Sequence, residues 1–349
     1  MLNRRDFARL SLASVAAVGV APAISPVKAA GTVAGVTQKP KRLAPGDTVG
    51  LVLPASAELT GDEIAFARDQ LKAIGFEVVI GAHAYDRWGY LAGHDRDRAD
   101  DINKMFADDR VAGVVCFTGG WGSPRLLPYL DYALIARKPK VVIGYSEITA
   151  LLNAIHKKSG IVTFHGPVGG STFDPYSLEN FKRVVMTAAP AGELMSPSKK
   201  PNELVDRTNR IVRLAGGKAS GRFVGGNLTM VHSLMGTPYE VDTDGTILFL
   251  EDVHEEPYRI DRMLTTLALA GKLDHLAAFV WGRCSDCKIT GPSFSIEDIL
   301  RDRFGSAAYP ALSGLSFGHI EQKLTIPIGV LGTVDADAGR VTVDEAAVD

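Results

Sequence analysis

From Gly46 onward, short apolar runs alternate with segments of helical periodicity, and this alternation constrains the fold more than any other feature. Strands are predicted at residues 48–53, 76–80, 111–117 and from 141, and helices at residues 62–74, 96–106 and 126–136. The strands show little internal alternation of apolar and polar residues. Such strands, separated by helices, predict a parallel sheet covered on both faces. Ligands of such sheets bind at the carboxyl ends of the strands.

The residue composition changes after Pro167, where glycine, proline and small residues become frequent. Strand-like runs resume at residues 211–214, 217–223, 246–250 and 278–281. The sequence therefore predicts an α/β protein with two domains. These are an N-terminal parallel-sheet α/β domain at residues 46–175 and a C-terminal mixed, β-rich domain at residues 211–349, joined by a linker at residues 176–210.

The first 30 residues have the composition of an export signal. Arg4 and Arg5 are followed by Phe7 and by an uncharged, mostly apolar stretch that ends near Pro26. The paired arginines resemble a twin-arginine signal, which predicts a periplasmic protein. An ordinary secretory signal and an uncleaved anchor are the alternatives. Residues 31–45 are interpreted as an N-terminal extension.

Charge and composition limit the classes of ligand that the protein is expected to bind. The formal net charge is -2 and 46% of residues are hydrophobic, so nothing favours a nucleic acid or a membrane surface as partner. A small molecule or peptide is the expected ligand.

The three cysteines, an odd number, argue against a disulfide framework. Cys284 and Cys287 have the spacing of a redox pair or of half a zinc site, but no further ligands complete a zinc tetrad, and buried structural thiols are the favoured interpretation.

Ser146 lies between the strand that begins at Val141 and a helical stretch that follows at once. A serine on such a strand-to-helix bend presents its hydroxyl outward, with the helix amides nearby. It is either a nucleophile or the N-cap of the helix. The loop around Gly119 and Gly120 also follows a strand, and paired glycines let backbone amides approach a ligand closely. The alternative for that loop is a flexible turn.

A serine nucleophile needs a histidine base and a group that orients the base. Among eight histidines, His319 lies in a short glycine-containing loop, and His165 could line a cleft or cap the core. Glu251 directly follows an apolar strand and is placed to orient a histidine. The acidic run at residues 252–256 also invites a metal interpretation, but its spacing matches no metal motif, and no metal is predicted.

Eight blocks of this sequence, in order, resemble the LD-carboxypeptidase family, which contains murein tetrapeptide carboxypeptidase and the microcin C immunity peptidases. The blocks are Pro54-Ala-Ser56, Tyr90-Leu-Ala-Gly93 with Arg98-Ala-Asp-Asp101, Gly119-Gly-Trp-Gly-Ser123 with Arg125-Leu-Leu-Pro128, Gly144-Tyr-Ser-Glu-Ile-Thr149, His165-Gly-Pro167, Gly225-Gly-Asn-Leu-Thr229, Leu250-Glu-Asp-Val253 and Gly318-His319. The resemblance extends from about Gly46 to about Gly332.

The resemblance implies a triad of Ser146, Glu251 and His319 in a cleft between the two domains. It also implies an oxyanion hole formed by the amides of Glu147 and Gly120. The implied activity is removal of the C-terminal D-alanine from peptidoglycan tetrapeptides through an acyl-enzyme, without a metal or organic cofactor. A homodimer is the implied assembly.

This chain departs from many family members, which carry Arg-Gly-Gly-Tyr-Gly where it has Thr118-Gly119-Gly120-Trp121-Gly122. This difference leaves the details of substrate recognition open. Trp121, His165 and Arg125 are candidates for substrate contact, with less support than the triad residues. Two other functions remain open: an immunity-type amidase, with Trp121 stacking on the base of an aminoacyl-nucleotide-like compound, and a periplasmic solute-binding protein without a nucleophile.

Overall fold

The computed structural model describes residues 37–58, 60–199, 202, 204–206 and 208–349. The predicted export signal at residues 1–30 lies outside the described residues. In the part of the chain that is described, no helix is both long enough and apolar enough to span a bilayer.

Strands and helices alternate between residues 48 and 165, as the sequence predicts. The strands are β1 (Thr48–Val52), β2 (Glu77–Ile80), β3 (Val111–Cys116), β4 (Val141–Gly144) and β5 (Thr163–His165). The helices are α1 (Gly61–Ile74), α2 (Asp95–Ala107), α3 (Tyr132–Arg137) and α4 (Ile148–Ser159).

The helix predicted at residues 126–136 is divided into two segments. A 3-10 helix occupies Pro124–Tyr129, and α3 begins at Tyr132. Pro128 has no amide to donate, which interrupts the hydrogen-bond pattern of a continuous α-helix. Asp131 then starts a new helix, because its carboxylate accepts a hydrogen bond from the amide of Leu134 at 2.8 Å.

The second half of the chain contains more strand than helix. Its strands are β6 (Pro190–Glu193), β7 (Val212–Ala215), β8 (Lys218–Asn227), β9 (Thr246–Val253), β10 (Ala278–Ser285), β11 (Ala311–Ser313), β12 (Ile326–Ile328), β13 (Leu331–Asp335) and β14 (Arg340–Ala346). Its helices are α5 (Pro175–Val185), α6 (Leu228–Ser233), α7 (Pro257–Leu269) and α8 (Ile296–Phe304). Residues 176–210, predicted as a linker, thus include most of α5 and all of β6.

The first sheet has six strands in the order β12-β5-β4-β3-β1-β2. The five strands from the first half of the chain are parallel, which confirms the predicted parallel sheet. The sixth strand, β12, is antiparallel to β5 and pairs Ile326 with His165. A segment far along the chain therefore completes the sheet that carries Ser146.

The second sheet has eight strands in the order β6-β14-β13-β8-β9-β10-β11-β7. Its central strands β8 to β11 are parallel, whereas β6, β7, β13 and β14 pair in antiparallel fashion. This is the mixed, β-rich sheet that the sequence predicts.

Both sheets contribute to one apolar cluster. Ile143 of the first sheet and Phe249 and Val343 of the second belong to the same set of buried side chains. A smaller cluster packs α7 and α8 against the second sheet, where the rings of Phe279 and Phe304 stack at 3.7 Å. The shared cluster holds the ends of β4 and β9 in a fixed relation.

Candidate active site

Ser146 stands in a strained bend between β4 and α4. Its φ is +64°, a left-handed conformation that residues other than glycine seldom adopt. The N-cap of α4 is Glu147, so Ser146 does not fill the capping role that was the alternative prediction. A strained, non-glycine residue at the carboxyl end of a buried strand is a common feature of reactive sites.

The glycine loop after β3 packs directly against this bend. A side-chain Cβ at Gly119 would lie 2.8 Å from Ser146 Cβ and 3.0 Å from its hydroxyl oxygen, so only glycine permits the approach. Gly120 has a φ of +106°, and a side chain there would overlap Ser56. Ser56 in turn accepts a hydrogen bond from the amide of Trp121 at 3.0 Å. The loop and the bend thus form one surface.

The carboxylate of Glu147 fastens that loop to the bend. It accepts hydrogen bonds from the amides of Gly122 at 2.6 Å and Ser123 at 3.1 Å, while the Ser123 hydroxyl donates to the Glu147 carbonyl. Burial raises the pKa of Glu147, and the two amides and Arg98 oppose that shift. Within the described residues, the backbone amides of Gly120 and Glu147 have no acceptor, as oxyanion donors require before substrate binds.

His319 is held by a buried carboxylate from the second sheet. Its Nδ1 lies 2.8 Å from Oε2 of Glu251, which is fully buried near the end of β9. Gly318 has a φ of +114°, and a side chain there would meet Glu251, so this glycine lets the histidine loop approach. An Nδ1–H bonded to a carboxylate leaves Nε2 as the basic nitrogen.

The ring of Tyr145 connects the serine bend of the first sheet to the histidine loop. Tyr145 directly precedes Ser146, and its ring centroid lies 4.9 Å from that of His319 in an edge-on contact. The structure therefore places the predicted residues Ser146, Glu251 and His319 in one region, although two different sheets contribute them.

A set of hydrogen bonds ties α4 to the end of β8. The Asn153 side chain donates to the Gly225 carbonyl at 2.8 Å and accepts from its amide at 3.3 Å. The Thr149 hydroxyl accepts from the amide of Asn227 at 2.9 Å. Asn227 pairs with Glu251 across β8 and β9, so these bonds, here called the α4–β8 latch, connect the serine helix to the glutamate strand.

The acidic residues at the end of β9 and after it each bind a different hydrogen-bond or ion-pair partner. Asp252 accepts hydrogen bonds from Asn227 and Thr229, and its burial raises its pKa to about 6. Glu255 pairs with Arg259, and Glu256 accepts from Thr290. Among the described residues, the potential metal ligands that do lie close together are elsewhere, at His83, Asp86 and Asp97 on the surface.

His165 lies beneath the site. Its ring is 1% exposed, packs edge-on against Tyr145, Phe249 and Phe317, and has no hydrogen-bond partner among the described residues. Burial lowers its pKa to about 4, so the ring is neutral at physiological pH. This burial argues against direct contact between His165 and a substrate.

The other two candidates for substrate contact differ in exposure and pairing. Trp121 is 65% exposed, with its indole 6.3 Å from the ring of Tyr90. Arg125 is engaged already, because its Nε donates to both carboxylate oxygens of Asp95 and its guanidinium lies over Trp88. Trp121 therefore remains available to a ligand.

A cavity of about 820 Å³ adjoins His319 on the second sheet and is lined also by Arg283, Cys284 and Glu321. Cys284 and Cys287 form a disulfide beside it and are only partly buried. The prediction of two buried free thiols is therefore wrong. Three residues of separation suffice for a local disulfide, and the odd cysteine left over is the buried Cys116. The cavity extends the site on the side of the histidine.

Lys323 is a feature of the site that the sequence interpretation missed. It is 7% exposed, four residues after His319, and its ammonium lies 4.5 Å from the ring centroid of Tyr145. A lysine in a loop carries no periodicity or motif that distinguishes it from a surface residue. Its proximity to the serine bend is visible only in the folded chain.

Taken with the fold, a strained serine beside a carboxylate-bound histidine defines a site of the serine-hydrolase type. Comparison with known proteins gives the family. Models of the LD-carboxypeptidase N-terminal domain and C-terminal domain match residues 49–166 and 220–334. The chain therefore belongs to the LD-carboxypeptidase family and is an LD-carboxypeptidase-like hydrolase, as the sequence predicts.

Named relatives agree with this membership. The chain is 39% identical over 319 residues to the "Probable murein peptide carboxypeptidase" of Bacillus subtilis, covering 89% of this chain and 95% of that protein. It is 32% identical to the murein tetrapeptide carboxypeptidase of Pseudomonas aeruginosa, over 84% of this chain and 94% of that one. The solved structure of the microcin C7 self-immunity protein MccF superimposes with a TM-score of 0.82 at 26% identity, over 89% of this chain and all of that one.

Proposed function

We propose that the protein is a serine carboxypeptidase that removes the C-terminal D-alanine from peptidoglycan-derived tetrapeptides. The observation that carries the proposal is the 2.8 Å contact between His319 Nδ1 and the buried Glu251, with the His319 ring packed on Tyr145, the residue before a serine at φ +64°. The names of the murein peptidase relatives support the substrate class.

In the proposed acylation step, His319 removes the proton of Ser146 through Nε2, and the serine oxygen attacks the carbonyl carbon of the residue that precedes D-alanine. The amides of Glu147 and Gly120 donate to the resulting oxyanion, and each such donor lowers the barrier by about 3 kcal/mol. The carbon–nitrogen bond then breaks, and His319 returns its proton to the amine of D-alanine.

In the deacylation step, His319 takes a proton from water, and the hydroxide attacks the ester on Ser146. The tripeptide leaves with a new carboxylate and Ser146 regains its proton. Glu251 accepts the Nδ1–H of His319 in both steps and stabilises the imidazolium.

The test is release of D-alanine from a free tetrapeptide and from its disaccharide-linked form, measured with the purified protein and with Ser146→Ala. We expect release by the first and a loss of at least about 1000-fold in the second. Absence of release from either substrate, with the two proteins behaving alike, would reject the proposal. Covalent labelling of Ser146 by an acylating serine probe separates this enzyme from a solute-binding protein.

A second candidate is an immunity-type amidase acting on an aminoacyl-nucleotide-like compound. The exposed indole of Trp121 favours it, because an aromatic face at a site can stack on a base. The similarity to MccF supports the same class. Cleavage of an aminoacyl sulfamoyl nucleoside by the protein, with no release of D-alanine, would favour this candidate over the first.

The paired arginines near the N-terminus support a periplasmic location in this proposal, where the enzyme would meet the cell wall. Cleavage of the signal is expected near Ala29 or Ala30, and mass spectrometry of the mature N-terminus tests it. An intact Met1 on exported protein would contradict this cleavage. The homodimer stays a prediction that light scattering can test.

A further inference from the structure

Lys323 belongs to the same loop as the proposed base. The amide of Leu324 donates to the Ser316 carbonyl at 2.8 Å and closes a loop that has His319 at its centre. The backbone amide of Lys323 donates to the Ser177 hydroxyl at 3.0 Å, which fixes the start of its side chain. The position of Lys323 is thus set by the fold.

Lys323 is 7% exposed, and its ammonium has no counterion at contact distance among the described residues. The ammonium also has no hydrogen-bond acceptor among the described residues, and it lies over the face of the Tyr145 ring, 4.5 Å from the centroid. Burial lowers the pKa of Lys323, whereas the more distant carboxylates of Glu251 and Asp174 raise it. A buried ammonium that lacks an anion is costly, and a ligand carboxylate would remove that cost.

The other cations near the site are engaged or lie apart from it. Arg125 pairs with Asp95, and Arg222 pairs with Glu345 and the Gly329 carbonyl. Arg283 lines the cavity beside His319, and one of its terminal nitrogens has no partner among the described residues. Arg283 is therefore the alternative against which Lys323 must be tested.

The chemistry of the leaving group favours Lys323. The nitrogen that His319 protonates is two bonds from the C-terminal carboxylate carbon of the same residue, so that carboxylate must lie on the histidine side of the site. The His319 ring centroid and the Lys323 ammonium lie 4.9 Å and 4.5 Å from the centroid of the Tyr145 ring. The base and the cation thus border the same tyrosine ring, whose width an amino-acid residue with its carboxylate can span.

We propose that Lys323 binds the free C-terminal carboxylate of the peptide and so makes the enzyme a carboxypeptidase rather than an internal peptidase. This inference rests on the proposed function, since it concerns the substrate of the same site. Lys323 is a specificity-determining residue that contacts substrate, and Tyr145 positions its ammonium.

The test measures binding in a Ser146→Ala background, so that it does not depend on turnover. Calorimetry compares the tetrapeptide acid with the same peptide ending in D-alaninamide. We expect the acid to bind about 10- to 100-fold more tightly to Ser146→Ala and this preference to disappear in Ser146→Ala/Lys323→Met. Lys323→Arg should restore part of it, because the charge returns in a different shape.

Lys140→Met in the same background is the matched control. Lys140 is also 7% exposed, but its ammonium donates to the carbonyls of Met105 and Asp108, away from the site. The preference for the acid should survive this change, which excludes a general effect of losing a buried ammonium.

Two results would overturn the inference. One is a preference for the acid that Lys323→Met leaves intact, above all if Arg283→Met abolishes it. The other is equal binding of acid and amide by Ser146→Ala. Failure of the unmodified enzyme to release D-alanine is a separate result, which rejects the proposed reaction while the binding comparison still decides the role of Lys323.

Discussion

Ser146 holds a backbone conformation that costs free energy, and that cost can be measured. A left-handed φ is unfavourable by about 1 to 2 kcal/mol for a residue with a Cβ, whereas glycine adopts it freely. Glycine also loses more chain entropy on folding, which offsets part of this gain.

We therefore expect Ser146→Gly to be more stable than Ser146→Ala by about 0.5 to 1 kcal/mol, with neither variant releasing D-alanine. Urea unfolding of the two variants gives the difference directly. Equal stability, or a more stable alanine variant, would show that the bend stores no strain.

His165 makes stability depend on pH. Its pKa is near 4 in the folded protein and about 6.5 in an unfolded chain, so the unfolded chain binds a proton first as the pH falls. The folded state is therefore destabilised between about pH 6.5 and pH 4. Asp252 acts in the opposite sense over this range, because its pKa is raised to about 6.

Comparison of wild type with His165→Leu isolates the histidine. Between pH 7 and pH 4.5, the free energy of unfolding should fall by about 2.5 kcal/mol more in wild type than in the variant. Any constant effect of the leucine cancels in this difference. Parallel pH profiles would mean that the buried ring is not held neutral.

At the scale of elements, the α4–β8 latch is the contact that relates the serine helix to the glutamate strand. Asn153→Ala would leave the buried backbone groups of Gly225 without partners, at a cost of about 1 to 3 kcal/mol. We expect kcat to fall about 10- to 100-fold with little change in KM, because a small displacement of Ser146 impairs attack more than binding.

Asn180→Ala is the control for this prediction. Asn180 is similarly buried but bonds to Tyr176 and Arg183 on its own helix. It should lose stability without the large fall in kcat. If both variants lose kcat equally, the latch has no special role in aligning the site.

Sequence patterns predicted the helices and strands better than they predicted which strands pair and which distant side chains meet. The periodicity of residues 48 to 165 is local, so the β/α alternation could be predicted, and the ordered blocks around Ser146, Glu251 and His319 identified the candidate site through resemblance. The pairing of β12 with β5 could not be predicted, because it joins segments about 160 residues apart through backbone hydrogen bonds that any apolar strand could make. Lys323 was missed because its proximity to Tyr145 and the serine bend also arises only when distant segments of the chain fold together.

At the scale of the whole molecule, one apolar cluster among the described residues includes side chains of both sheets. The two predicted domains therefore have no separate cores on this side, and removing one would expose the core of the other. We expect a single thermal unfolding transition for the protein, with calorimetric and van't Hoff enthalpies that agree. Two resolved transitions would show that the sheets unfold independently.

The position of β12 also sets an order of events during synthesis. The ribosome completes the five parallel strands of the first sheet before β12 and the loop with His319 emerge. Until then β5 keeps an unpaired edge, and Ser146 lacks its proposed base. If the proposed triad is correct, a nascent chain therefore carries an inactive nucleophile, and hydrolytic activity is expected only after the segment with His319 and β12 has been made.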